Sequence, residues 1–264
     1  MVYIYDATFK GLLTATFTAF EYREFMVKLI TNRGQQEQLF GSRREIQSDS
    51  EKAARVYRGL TKQLTPKIAA DFWRAFLCEN PKVSQTIFDL IISIFRGAGD
   101  ILHNFGDEKV LQFNQALQKV NRERHRMKAF IRFQKSSNSH YVAVIEPDFN
   151  VLPLIIDFFR QRYADQVWLI YDKKRRYGIY YNLQTVTEVT LDVQETKTLQ
   201  KSSESIFVDP QDANYENLWC SYFESTNIEA RKNLSLHIKH VPKRYWRYLP
   251  EKRKSLFIQG NNKT

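Results

Sequence analysis

Residues Asp107 to Gln134 read DEKVLQFNQALQKVNRERHRMKAFIRFQ, and the reading of this stretch decides the fold. Its first half has apolar residues at helical spacing, Val110, Phe113, Leu117 and Val120, behind Asp107, which can start a helix. In its second half the period becomes two. Met127, Ala129, Ile131 and Phe133 alternate with Lys128, Phe130 and Arg132, as in a strand with one face turned inward. The stretch therefore marks a change from helices to sheet, and the class it predicts is α+β. A helical N-terminal half packs with a mainly antiparallel C-terminal sheet and flanking helices.

Towards the N-terminus the signals are helical. Ser48 and Glu51 form a candidate capping box ahead of Ala53, Val56, Tyr57, Leu60 and Leu64. Thr65-Pro66 and Asn80-Pro81 each place a capping side chain before proline at the first helical position. Ile68, Ala69, Phe72, Trp73 and Phe76 follow the first, and Val83, Ile87, Leu90, Ile91 and Ile94 the second. Gly97 is the expected stop. Val2-Tyr3-Ile4-Tyr5 reads as a short strand. Asp6 and Thr8 precede a helix expected from Phe9 to Leu29. Asn32-Arg33-Gly34 reads as a turn and Leu39–Ile46 as a second strand.

Towards the C-terminus, His140–Glu146 is expected to pair with Met127–Gln134 as a hairpin. A helix capped by Asn150 follows, with Val151, Leu154, Ile155, Phe158 and Phe159 on one face. Strands are expected at Gln166–Asp172, Tyr177–Asn182 and Thr185–Leu191. Residues 193–212 are polar and read as a connection, and a tail is expected beyond Leu256. The organisation is thus a mostly helical part with a short strand (1–125), an antiparallel sheet with one helix (126–192) and a basic helical segment (213–255). No Pro/Gly linker occurs near residue 125, so one compact unit is expected rather than two independent domains.

The chain has 264 residues and a formal net charge of +11. That charge is uneven: residues 1–120 hold 16 Lys/Arg against 13 Asp/Glu, and residues 121–264 hold 24 against 16. Such a bias favours a polyanionic partner. The alternative is a solvated basic surface that keeps the protein soluble. No apolar run is long enough to span a bilayer and no secretory signal is legible, so a cytoplasmic protein without membrane contact is expected. The two cysteines, Cys78 and Cys220, are too few for a cysteine-based metal site and read as small apolar residues. His237 and His240 share a helix face, but no acid or cysteine at ligand spacing joins them, so neither a metal nor another cofactor is expected.

Catalytic spacings are missing. There is no phosphate-binding glycine loop, no nucleophile elbow and no His-Glu-x-x-His pair, so no enzyme class is assigned. Glu146, Asp148 and Asp172 are the candidates for general acid–base work, because they fall at strand ends. The bland reading pairs Glu146 and Asp172 with nearby basic residues and uses Asp148 to start a helix. Two stretches suit nucleic acid better. Arg122–Lys135 places Arg126, Lys128 and Arg132 near Phe130, a pattern of cations and aromatics that meets phosphates and bases. Lys243-Arg244-Tyr245-Trp246-Arg247-Tyr248 offers three cations for phosphates, with Tyr245 and Trp246 for stacking. The competing reading makes Trp246 a core anchor. Lys173-Lys174-Arg175-Arg176 sits in a tight turn and either adds to this patch or is only a soluble turn.

Five blocks resemble a bacterial family labelled "probable DNA metabolism protein". They are Val2–Asp6 with Phe9–Leu13, Arg126–Phe133, Glu146–Pro153, Asp165–Asp172 and Pro242–Glu251. That family is encoded beside a radical-SAM protein, and its longer members carry a uracil-DNA-glycosylase-like domain after the segment matching Arg244–Glu251. The resemblance implies a role in DNA repair or modification and supplies no catalytic residues. The expectation is a DNA-binding accessory component working with the radical-SAM protein. The alternatives are a nucleic-acid enzyme using the carboxylates, or an interaction scaffold that does not touch DNA.

Overall fold

The computed structural model describes residues 1–31, 42–98, 100–136, 140–190, 218, 220–221 and 234–252. The expected turn at Asn32–Gly34, the connection at 193–212 and the tail lie outside the described residues. The chain divides into two compact units, Met1–Arg122 and Glu123–Thr264.

In the first unit, strand β1 (Val2–Tyr5) runs parallel to β2 (Lys28–Thr31) and β3 (Arg43–Glu45) in the order β2-β1-β3. All four β1 residues are buried, as befits a central parallel strand. Helix α1 (Phe9–Glu21) begins at Thr8, whose hydroxyl accepts the Gly11 N–H at 2.9 Å. Gly11 is required there, because a Cβ would lie 2.2 Å from the Asp6 carboxylate. The Asp6 carboxylate in turn accepts the Thr8 hydroxyl (2.7 Å) and the Ser48 hydroxyl (2.7 Å). Helix α1 is shorter than the expected Phe9–Leu29. Arg23 turns left-handed (φ 58°), and Phe25 folds back against Phe20 as the chain enters β2. No glycine or proline announces this stop.

Helices α2 (Ser50–Gln63), α3 (Pro66–Phe76) and α4 (Pro81–Phe95) follow. Thr65 and Asn80 cap α3 and α4 as expected. The cap of α2 is Asp49 rather than Ser48, since the Asp49 carboxylate accepts the Glu51 and Lys52 N–H groups while Ser48 serves Asp6. Gly97 adopts φ 102° beyond α4, the left-handed stop that glycine permits. The helical stripes meet in one core, with Leu60, Phe72, Ile87, Leu90 and Ile91 fully buried. Each such side chain contributes roughly 1.5–3 kcal/mol of burial energy.

Helix α5 (Glu108–Phe130) crosses the boundary between the units without a break. This corrects the strand expected at Met127–Gln134, because the helix continues to Phe130 and strand β4 holds only Gln134 and Lys135. Met127 and Ile131 are buried four residues apart and extend the stripe of Phe113, Ala116 and Val120. Alternation over so few residues fits a helix equally well when its members also fall at i and i+4. The stripe is hard to follow because its next position after Val120 is Glu123.

The second unit holds a five-stranded sheet in the order β4-β5-β6-β7-β8, with β5 (Tyr141–Ile145), β6 (Trp168–Asp172), β7 (Tyr177–Tyr181) and β8 (Val186–Val189). It is mainly antiparallel, as expected, but β5 and β6 are parallel. Helix α6 (Ile156–Arg162) lies in the connection between them, after a 3-10 turn at Leu152–Leu154. Asn150 does not cap α6, because the helix begins only at Ile156; the Asn150 side chain instead accepts the Tyr177 hydroxyl at 2.5 Å. Trp168 is buried among Phe133, Phe159 and Tyr181. Helix α7 (Leu234–His240) and a 3-10 helix (Lys243–Tyr248) complete the described part.

Candidate functional site

Strands β5 and β6 end side by side, with Ile145 opposite Asp172. The carboxyl ends of parallel strands are where ligands collect in α/β sheets, since the connecting loops spread apart there. Here the loop after β5 is Glu146-Pro147-Asp148, and the turn after β6 is Lys173-Lys174-Arg175-Arg176. The turn clamps the loop. Asp172 is fully buried, and its carboxylate accepts the N–H groups of Lys174 (3.0 Å) and Arg175 (3.2 Å). The Arg175 guanidinium reaches the Asp172 carboxylate at 2.8 Å and the Pro147 and Asp148 carbonyls at 3.2 Å each. Lys174 Nζ donates to the Asp148 carbonyl at 2.9 Å. Burial pushes the Asp172 carboxyl above the usual range, and the Arg175 hydrogen bond and charge oppose this only in part.

The 3-10 helix Lys243–Tyr248 approaches the same loop. Arg244 pairs with Asp148 at 2.6 Å. Arg247 pairs with Glu146, and the Tyr248 hydroxyl donates to the same carboxylate at 2.7 Å. Beneath them lies Glu123, 1% exposed, a residue the sequence reading did not single out. It accepts the Tyr245 hydroxyl and the Asp148 N–H (2.9 Å), with Arg126 and Arg244 at 3.7 and 4.0 Å. A buried carboxylate survives only with such partners. Its signal in the sequence was a charge at a stripe position of α5. Burial and Glu123 push the Tyr245 hydroxyl up, and burial and Glu146 do the same for Tyr248, so both remain proton donors.

The three candidate carboxylates are therefore brought to one end of the sheet, and each is tied to an arginine. Arg244 and Arg247 lie on this site, each engaged by a carboxylate, and Lys243 lies beside them over the Trp246 ring. Tyr245 and Trp246, expected to stack on bases, are each 2% exposed. The Trp246 indole donates to the Val241 carbonyl at 2.9 Å, and the Tyr245 ring packs on Phe130. Both act as anchors here, and their rings do not face solvent. Lys128 and Arg132 do not share a strand face with Phe130. Lys128 sits over the Phe158 ring, and Arg132 pairs with Glu251 (2.9 Å) and caps α5 through the Ala129 carbonyl. Arg126 reaches the Lys239 carbonyl.

Among the described residues no group of three His, Cys, Asp or Glu side chains is arranged to hold a metal ion, and no helix is long and apolar enough to cross a membrane. No curated protein and no solved structure matches the chain. The model of a domain of unknown function, DUF4130, matches residues 81–251, a span running from α4 through the whole network around Glu123, Glu146, Asp148 and Asp172. Matched in this way over more than half its length, the chain belongs to the DUF4130 family.

Proposed function

We propose that this chain is a nucleic-acid-binding accessory protein of DNA repair or modification, with the chemistry supplied by a radical-SAM partner. One observation carries the binding half of this reading. Two basic segments far apart in sequence, Lys173–Arg176 and Lys243–Arg247, converge on the Glu146–Asp148 loop through Lys174, Arg175, Arg244 and Arg247. Lys173, Lys174, Arg176, Lys243, Arg244 and Arg247 are all exposed. Exposed cations from two segments that converge on one loop suit a phosphate backbone. The repair context and the partner rest on the family resemblance.

The test is fluorescence anisotropy with labelled single- and double-stranded DNA across a salt series, beside a Lys173→Glu/Lys243→Glu variant. Phosphate contacts give a log–log slope of about −0.7 per contact for single strands, and the variant should bind more weakly with a shallower slope. Absence of binding at low salt would sink the direct-binding reading. Co-purification with the radical-SAM protein encoded beside the family's genes tests the partner.

One observation favours the enzymatic alternative: Asp172 is buried, with its carboxyl pushed up, at the end of a parallel strand pair. Its bonds to Arg175 and the turn weigh towards a structural role. An Asp172→Asn variant that stays folded and binds DNA, but loses a turnover seen in the wild type, would move the balance to catalysis.

A further inference from the structure

We infer that Glu146 and Asp148 are internal stand-ins for phosphate, seated on Arg247 with Tyr248 and on Arg244, and displaced when a nucleic-acid backbone binds. This rests on the nucleic-acid reading above and names which groups gate that site.

The four carboxylates around the loop fall into two kinds. Glu123 and Asp172 are buried and hold the framework, one locking Tyr245 and the other locking the β6–β7 turn. Glu146 and Asp148 are 32% and 44% exposed, and their arginines 55% and 44%. Ion pairs at that exposure contribute at most about a fivefold factor in an equilibrium, so a competing anion can replace them. The seats themselves are built to last. Two donors, the Arg247 guanidinium and the Tyr248 hydroxyl, meet on a single Glu146 oxygen. A guanidinium fork fits phosphate as well as carboxylate. The buried side chains of Tyr245, Trp246 and Leu249 keep the 3-10 helix in place whether or not the carboxylates stay. Loss of the two carboxylates should therefore leave the donors in position and remove their nearest acidic partners.

The consequence runs against a purely structural role for these acids: neutralising them tightens binding. The experiment measures the affinity of the full chain for a labelled single-stranded oligodeoxynucleotide, with long-chain inorganic polyphosphate as a second probe. The variants are Glu146→Gln, Asp148→Asn, the double variant, and Asp157→Asn, an exposed acid of α6 outside the network, as a control for net charge. The expected result is roughly two- to tenfold tighter binding of both probes by the double variant, with the control changed less than about twofold. Should the double variant melt below the assay temperature, Glu146→Gln alone, which keeps an acceptor for Tyr248, carries the same comparison. If the wild type binds and the variants bind equally or more weakly, the gating inference is overturned while the nucleic-acid reading stands. Tightening for DNA but not for polyphosphate would overturn phosphate as the seated group. If neither the wild type nor any variant binds, the nucleic-acid reading falls and this inference falls with it.

Discussion

The two units of this chain place an aspartate at the same kind of position and treat it in opposite ways. Asp6 follows β1, the central strand of a parallel three-stranded sheet, and Asp172 ends β6 within a parallel pair. Burial raises the Asp6 carboxyl, but the Ser48 and Thr8 hydroxyls and the Thr8 N–H outweigh it and hold the group below its usual range. Burial dominates at Asp172 and pushes it up despite Arg175. The contrast extends to the surroundings. The first unit is held by a continuous apolar core, and Asp6 serves mainly to dock Ser48 and the start of α1. In the second unit the sheet end and the 3-10 helix are joined by charged and hydrogen-bonded side chains around Glu123. The lesson is that the polar groups joining the sheet end to the 3-10 helix in the second unit are the same ones that form its candidate site, whereas the first unit is held by apolar packing.

Substitutions can break this comparison, beginning with the most damaging. Phe72 is fully buried with its ring 4.8 Å from that of Phe113, so Phe72→Ala should destabilise the first unit by about 3–5 kcal/mol in chemical denaturation. A loss under ~1 kcal/mol would mean that its core is not the tight assembly described. Tyr245→Phe removes the hydroxyl donor to buried Glu123 and should cost ~1–3 kcal/mol, read as a lower midpoint for the second unit. An unchanged midpoint would show that Glu123 is satisfied without it.

Acidity sharpens the contrast in sign. The Asp6 carboxyl is lower in the folded chain than in the unfolded one. Its stability contribution is therefore present above the ordinary aspartate range and is lost as pH falls through the lowered folded value. Asp172 is raised, so its folded form binds the proton more readily, and its contribution declines as pH rises from the ordinary aspartate range through the raised value. Stability–pH curves of Asp6→Asn and Asp172→Asn, each subtracted from the wild type, should slope in opposite directions below neutrality. Parallel difference curves would contradict this assignment. The smallest effect belongs to Arg160→Ala, which breaks an exposed i,i+3 pair with Asp157 at 3.2 Å and should shift stability by less than ~0.5 kcal/mol. A larger loss would give the surface of the second unit a weight that only its interior should carry.

The amino-acid sequence alone determined the α+β class, four of the helix starts and most of the apolar stripes, because caps and periodicity act over a few neighbouring residues. Thr65, Asn80 and Gly97 do what their types imply, and the stripe of α4 is buried as read. Only the tertiary structure decided that β1 is a central parallel strand, that α5 runs on to Phe130, and that β5 and β6 are parallel. It also decided the site. The sequence located Glu146, Asp148, Asp172 and the Lys243–Arg247 cations, and it offered basic partners for Glu146 and Asp172 and an anchor reading for Trp246, but it did not say which arginines would pair with the acids or that Tyr245 would turn inward. The burial of Glu123 could not be read from its neighbours alone, because the two groups that hydrogen-bond it, Tyr245 and Asp148, lie far away in the chain. Local spacing sets the conformation of a segment, whereas the partner of a charge depends on which distant segment folding brings within hydrogen-bonding reach.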